Sequence, residues 1–213
     1  GEAYGVALGW SGCWQITASS TVFGNQRITA GMNDADFIFP MQSGENFETP
    51  PMFLCMSGGG IGALSRKMHD FERWHLKAGR KPRRVLYNSW EATLFDVRAE
   101  EQMILAERAA KMGVELFVVD DGWFGARHSD RAGLGDWTVN PEKFPNGLEE
   151  LIDHVHALGM DFGLWVEPES VNPDSDLYRA HPDWIHRLDG REPMTQRNQY
   201  LLDFGKPEVE QFA

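Results

Sequence analysis

Four residues stand where apolar runs give way to polar sequence: Trp90 after RVLYNS, Asp120 and Asp121 after ELFVV, and Glu167 after DFGLWV. Indoles beside ionised carboxyls suit a polyhydroxylated ring. Carboxylates accept hydrogen bonds from adjacent hydroxyls, and an indole covers the apolar C–H face. In a parallel α/β sheet the carboxyl ends of successive strands open onto one surface, where ligands bind. These side chains are therefore expected to converge although they are far apart in the chain.

The doublet Asp120-Asp121, followed by Gly122 and Trp123, is the strongest local signal. Side chains alternate along a strand, so adjacent aspartates normally point to opposite faces. At a strand end, where Gly122 lets the backbone turn, both can reach the same mouth; in the alternative, one caps the following loop and only the other meets a ligand. Left unpaired, two such carboxylates would repel each other. Glu167 and Glu169 flank Pro168 and read as an acid/base pair, as metal ligands, or as ion-pair partners on the rim. Retaining glycosidases hold two carboxyls about 5–5.5 Å apart and inverting ones roughly 6.5–9.5 Å, a separation that sequence does not supply. Trp90, beside Ser89 and Glu91, reads as a stacking platform, whereas Trp165 and the more distant Trp10, Trp14 and Trp74 read as core.

The elements that must position these groups follow from periodicity. Residues 1 to about 56 show short alternating runs divided by turn residues, including GVALGWSG, CWQITAS, FGNQRITAGM and DADFIFPM, and read as β-structure. Gly58–Gly60 breaks that pattern, and a helix is expected from Ile61 to Leu76 with Leu64, Met68, Phe71 and His75 on one face. The polar stretch from Lys77 to Pro82 reads as the boundary between two domains, residues 1–81 and 82–213. After it, strand and helix alternate. The first helix takes Asp96 as N-cap, Ile104, Leu105, Ala109 and Met112 as its inner face, and Gly113 as its stop. A polar loop over 121–146 precedes a second helix, with Asn146 as cap, Leu148, Leu151, Ile152, Val155 and Leu158 at helical spacing, and Gly159 at its end. Strand, helix, strand, helix, strand with apolar strands predicts a right-handed parallel βαβαβ unit. Neither GxGxxG nor GxxxxGK[ST] is present, so no dinucleotide or P-loop site is expected. A (β/α)8 barrel is the natural home, with about three of its eight units represented. An open sheet of that size leaves strand edges unpaired, so the remainder is expected elsewhere in the polypeptide or in another chain.

Composition narrows the function classes. A formal charge of −12 argues against nucleic acid. The basic cluster Arg80, Lys81, Arg83 and Arg84 reads as a solvated connector. Cys13 and Cys55 match no zinc spacing and make no disulfide framework, so two buried thiols in a reducing compartment are expected. The seven histidines form no HExxH, and His154 and His156 fall on a helix away from the strand ends; neither a metal nor a cofactor is expected. No run approaches membrane-spanning length. The start lacks the form of a signal peptide, and the abrupt ends suggest a piece of something longer.

At LYNSWEA, FVVDDGWFGAR, GLGDWTVNPEKFPNGL, GLWVEPE and RNQYLLDFGKPEV the chain resembles glycoside hydrolase family 36, the α-galactosidases of bacteria and fungi. These motifs run in order from about Pro82 to the C-terminus, and residues before them resemble the end of the family's N-terminal β-supersandwich and its connector. The resemblance implies retaining removal of terminal α-1,6-linked galactose from melibiose, raffinose and related oligosaccharides by a cytoplasmic homo-oligomer, a tetramer. It assigns Trp90 as a stacking wall, Asp120 and Asp121 as hydroxyl acceptors, and Arg197 as a donor to the sugar; the alternative for Arg197 is a structural ion pair. It also implies a nucleophilic aspartate in a Lys-Trp-Asp motif on the next barrel strand and an acid/base aspartate further on. This sequence contains no Lys-Trp-Asp, so the chain alone is expected to be inactive. Two other readings stand beside it: a metal-dependent barrel enzyme using Asp120, Asp121 and Glu167, and a non-catalytic sugar-binding module.

Overall fold

The computed structural model describes residues 1–35, 37–76 and 81–213, which divide into two compact units, Gly1–Pro82 and Arg83–Ala213. Arg80 of the basic cluster lies outside the described residues.

In the first unit, β1 (Ala3–Leu8) pairs antiparallel with β4 (Met52–Ser57), in register from Ala3 opposite Ser57 to Leu8 opposite Met52. β2 (Trp14–Ser20) and β3 (Gln26–Met32) form a hairpin, its turn closed by the Thr21 N–H on the Asn25 carbonyl. α1 (Gly60–His75) lays Leu64, its one buried side chain, against Gly5 of β1. The expected face holds in part: Met68 and Phe71 are half-buried, and His75 is exposed.

Two expectations fail here. The described part of DADFIFPM forms no strand, because the Asn33 Oδ1 accepts the Ala35 N–H in a local turn and Pro40 cannot donate to a ladder. Nor are the cysteines buried: Cys13 is exposed just before β2, and Cys55 is half-buried on β4 of a two-stranded sheet.

The second unit is built on three parallel strands in sequence order: β5 (Leu86–Asn88), β6 (Leu116–Val119) and β7 (Asp161–Leu164). Leu86, Leu116 and Asp161 share a register row, and so do Tyr87, Phe117 and Phe162. This is the expected βαβαβ unit, the arrangement of consecutive staves of a (β/α) barrel, with β5 and β7 as its edges. α3 (Ala99–Lys111) connects β5 to β6, and α4 (Glu149–Ala157) connects β6 to β7. Gly113 and Gly159 end these helices at φ 85° and 83°, left-handed positions where a Cβ is costly. Phe117, Val119, Leu151 and Val155 are fully buried between strands and helices. Each such burial contributes about 1.5–3 kcal/mol.

Local details depart from the expected pattern. Neither predicted cap works as one: Asp96 accepts from Arg98 Nε at 2.8 Å, and Asn146 donates to Glu150 at 2.9 Å. The expected inner face of α3 holds in part: Ala109 is buried and Leu105 packs against the core, but Ala99, Gln102 and Ala106 are the other buried positions, while Ile104 and Met112 are exposed. The loop over 121–146 is more deeply packed than its polarity suggests, with Phe124, Arg127, Leu134 and Phe144 essentially inaccessible. A second small core gathers Val171, Ile185, Leu202 and Val209 around the antiparallel pair β8 (Ser170–Val171) and β9 (Tyr200–Leu201), with α5 (Asp176–Ala180) and α6 (Pro207–Phe212) beside it.

Candidate active site

Beyond the carboxyl ends of β5, β6 and β7 lies an open pocket of about 460 Å³, lined by Asn88, Trp90, Glu91, Asp120, Asp121, Trp165 and Arg197. It contains all four residues singled out as sugar contacts: Trp90, Asp120, Asp121 and Arg197. Glu167 is not among its walls.

Trp90 does not end a strand. It opens the one-turn helix α2 (Trp90–Thr93), and its N–H is accepted by Asn88 Oδ1 at 2.8 Å. Phe95 meets the indole edge-on with ring centroids 5.0 Å apart, which fixes the plane the pocket sees. The Asn88 side-chain amide also donates to Asp120 Oδ2. One asparagine thus sets both the indole and the first aspartate, a role that the sequence reading did not assign to it. Asp120 is further held by its own N–H on the buried Ser89 hydroxyl, 2.9 Å, while its Oδ1 accepts the Asp121 N–H at 2.7 Å. Each Asp120 oxygen has used one acceptor site and keeps another.

Asp121 is differently placed. Its two oxygens accept from Arg127 Nε at 2.8 Å and Arg127 Nη2 at 2.7 Å, and both side chains are buried. The expected repulsion within the doublet is answered by this internal cation, which the sequence reading missed. An arginine six positions after an aspartate carries no signal until the loop is seen to fold back. Arg127 also lies over the rings of Phe95, at 5.3 Å, and Phe124, at 5.9 Å. Its remaining donors reach Asn172 Oδ1 at 2.8 Å and the Ala132 carbonyl at 3.2 Å.

The turn after the doublet needs Gly122. Its φ is 109°, and a Cβ there would stand 2.7 Å from the Phe95 carbonyl oxygen. Below it, the buried Lys143 ammonium donates to the carbonyls of Phe95, Gly122 and Arg127 at 2.8, 2.6 and 2.7 Å. Burial lowers the Lys143 pKa, partly offset by Asp96, Asp121 and Glu142. Lys143 is therefore a cationic knot under the loop.

Trp165 continues β7 through its N–H on the Val119 carbonyl, 2.9 Å. Read as core, it is half-buried and shared: it packs against Phe124 and Trp137 and also lines the pocket. Arg197 is exposed and lines the pocket, and its charge also acts on Glu167, lowering that carboxyl's pKa against the effect of burial. Glu167 is half-buried; burial raises its pKa, the Ser170 side chain opposes that shift, and neighbouring Glu169 adds to it.

As a donor set for a metal, Asp120, Asp121 and Glu167 fit poorly. Asp121 is committed to Arg127, Glu167 is not a pocket wall, and no group of three His, Cys, Asp or Glu suited to a cation occurs among the described residues. A hollow at the strand ends, edged by indoles, a carboxylate and a guanidinium, defines a ligand site of the (β/α)-barrel class.

The chain belongs to the melibiase family, whose family model matches residues 46–213. It is 45% identical over 212 residues to the bifunctional α-galactosidase/sucrose kinase AgaSK of Mediterraneibacter gnavus, covering 98% of this chain and 23% of that protein. To the α-galactosidase AgaA of Geobacillus stearothermophilus it is 43% identical, covering 98% of this chain and 29% of that one. The crystal structure of the GH36 α-galactosidase AgaB from the same organism superposes with a TM-score of 0.94 at 42% identity, over all of this chain and 30% of AgaB. A crystal structure of an AgaA variant in complex with raffinose superposes with a TM-score of 0.95, over the same shares. The chain thus spans less than a third of the length of these relatives.

Proposed function

We propose that this chain is part of a retaining α-galactosidase that removes terminal α-1,6-linked galactose from melibiose- and raffinose-type oligosaccharides, and that it supplies one side of the galactose subsite. The observation that carries this reading is the common pocket of Trp90, Asp120, Asp121 and Arg197 at the strand ends. Further support comes from the AgaA variants crystallised with raffinose and stachyose. In this reading Trp90 and Trp165 offer indole faces to the C–H side of the ring. Asp120 accepts hydroxyl protons through its unused acceptor sites, and Arg197 donates. Asp121 acts from behind, its charge balanced by Arg127.

Cleavage by double displacement needs a nucleophile and an acid/base about 5–5.5 Å apart. In this reading Asp120 serves the sugar hydroxyls and Asp121 is held by Arg127 through both oxygens, so neither is assigned these roles. The nucleophile and acid/base are therefore assigned to aspartates outside these residues, and the chain alone to binding without turnover. Residues 1–81 are assigned to the end of a β-sandwich domain with its connecting helix, and 82–213 to the first βα units of the catalytic barrel. A cytoplasmic homo-oligomer, a tetramer, completes the proposal. The unpaired thiols fit a reducing compartment, and large exposed apolar side chains such as Leu54, Met56 and Trp74 fit contact with further protein. Among the described residues no helix is long and apolar enough to cross a membrane.

The test is release of galactose from melibiose and raffinose by the longer polypeptide that carries this sequence, with product anomers followed by NMR. Release of α-galactose first supports retention. Absence of hydrolysis, or first release of the β-anomer, overturns the reading.

A further inference from the structure

Arg197 is held in an unusual backbone. Gln196 and Gln199 exchange two backbone hydrogen bonds of 3.2 and 3.0 Å, leaving Arg197 and Asn198 as the central residues of a two-residue turn. Both have positive φ, 53° and 59°, as type I′ turns require; Asn-Gly or Asp-Gly normally fills such turns, because a Cβ is disfavoured there. Arginine has no intrinsic preference for this geometry, so something outside the turn must hold it.

That external hold is Asn172, fully buried just after β8. Its Nδ2 donates to the Asn198 carbonyl at 2.8 Å and to the Asp130 carbonyl at 3.0 Å. Its Oδ1 accepts from Arg127 Nη1 at 2.8 Å and from the Leu134 N–H at 2.9 Å. One amide therefore spends all its hydrogen-bonding capacity between the arginine that fixes Asp121 and the turn that presents Arg197. Val171 pairs with Tyr200 alongside, so the two segments are already in register.

We propose that Asn172 is a positioning residue for the sugar site: it clamps the strained 196–199 turn so that Arg197 faces the pocket in fixed relation to Asp121. This rests on the galactosidase reading above. Asn172 touches no pocket surface itself and acts through Arg197.

The experiment uses the full-length enzyme with raffinose. Asn172→Asp keeps both acceptor contacts and loses both amide donors, setting an anionic oxygen against two carbonyls. Asn198→Gly makes the turn favourable by local preference while leaving its carbonyl in place. Asn172→Asp is expected to raise KM about tenfold with a smaller change in kcat. Adding Asn198→Gly is expected to recover most of that KM, while Asn198→Gly alone stays near the unsubstituted enzyme. The melting temperature separates positioning from scaffolding, because rescue of KM without equal recovery of Tm is not expected of a scaffold residue. A folded Asn172→Asp variant with KM within twofold of the parent overturns the proposal. So does failure of Asn198→Gly to restore KM, or a variant that does not fold. If the unsubstituted enzyme hydrolyses no α-galactoside, the galactosidase reading itself fails and this inference with it.

Discussion

Asp121 and Arg127 face each other through two parallel N–H···O bonds of 2.8 and 2.7 Å, with neither side chain open to solvent. A planar guanidinium fork matches a carboxylate in both position and direction. The pair fixes the second aspartate of the doublet and ties the loop over 121–146 to the strand end.

Removing one partner should cost far more than removing both. Arg127→Met leaves a buried carboxylate unpaired and is expected to destabilise the protein by about 3–5 kcal/mol. Asp121→Leu combined with Arg127→Met should be less harmful than Arg127→Met alone. Urea unfolding of the two variants checks the order; a double variant weaker than the single one contradicts it.

Lys143→Met should lower stability by about 2–3 kcal/mol, because three buried carbonyl oxygens lose their common donor and only the methylene packing is replaced. Thermal unfolding measures this. The lost knot lies under Gly122, so if the proposed subsite is right, galactose affinity should fall in the fraction that remains folded.

Gly122→Ala should be at least as damaging to the site. The left-handed φ of 109° and the 2.7 Å approach to the Phe95 carbonyl leave no room for a methyl group. A stability loss of about 1–3 kcal/mol is expected from the strain; on the proposed function, galactose binding followed by tryptophan fluorescence should fall more than in proportion.

Glu167 predicts a pH dependence of definite sign. Its folded-state pKa is raised by burial, so as pH rises the unfolded chain releases this proton first and folding is penalised. The penalty is absent below the ordinary glutamate value of about 4.3 and grows as pH rises from there through the raised folded value. Glu167→Gln should therefore match the parent in acid and gain in relative melting temperature towards neutrality. A difference that shrinks between pH 4 and 7 refutes the assignment.

Within the proposed subsite, Trp90→Ala and Asp120→Asn act on different terms. Loss of the indole removes stacking of about 0.5–1.5 kcal/mol beyond area burial. Loss of the Asp120 charge weakens hydrogen bonds that are each about 1.5–3 kcal/mol when charge-assisted. Raffinose KM for the longer enzyme and galactose titration should show both variants weakened, and a variant within twofold of the parent counts against that residue's place in the subsite.

Much of the scaffold was legible in the chain. The apolar runs became β5, β6 and β7, and the glycines at 113 and 159 ended α3 and α4, because side-chain periodicity and glycine's access to positive φ are local properties. Capping and the full inner face of α3 were not legible. Asp96 found Arg98 and Asn146 found Glu150 instead of a backbone N–H, and α3 buried Ala99, Gln102 and Ala106 in place of Ile104 and Met112. Trp90 and Trp165 each came out one step from expectation, the first on a helical turn and the second shared between core and pocket.

By itself, the sequence determined the alternation of parallel strands with helices, and with it the surface to which Trp90, Asp120 and Asp121 had to be delivered. Strand polarity and the run of apolar residues suffice for that. The tertiary structure alone decided the division of labour in the aspartate doublet, the knot at Lys143 and the clamp from Asn172 to the turn of Arg197. Each depends on a buried polar atom finding partners from distant segments. Such partners are chosen by the exclusion of water in the folded chain, which no local pattern encodes.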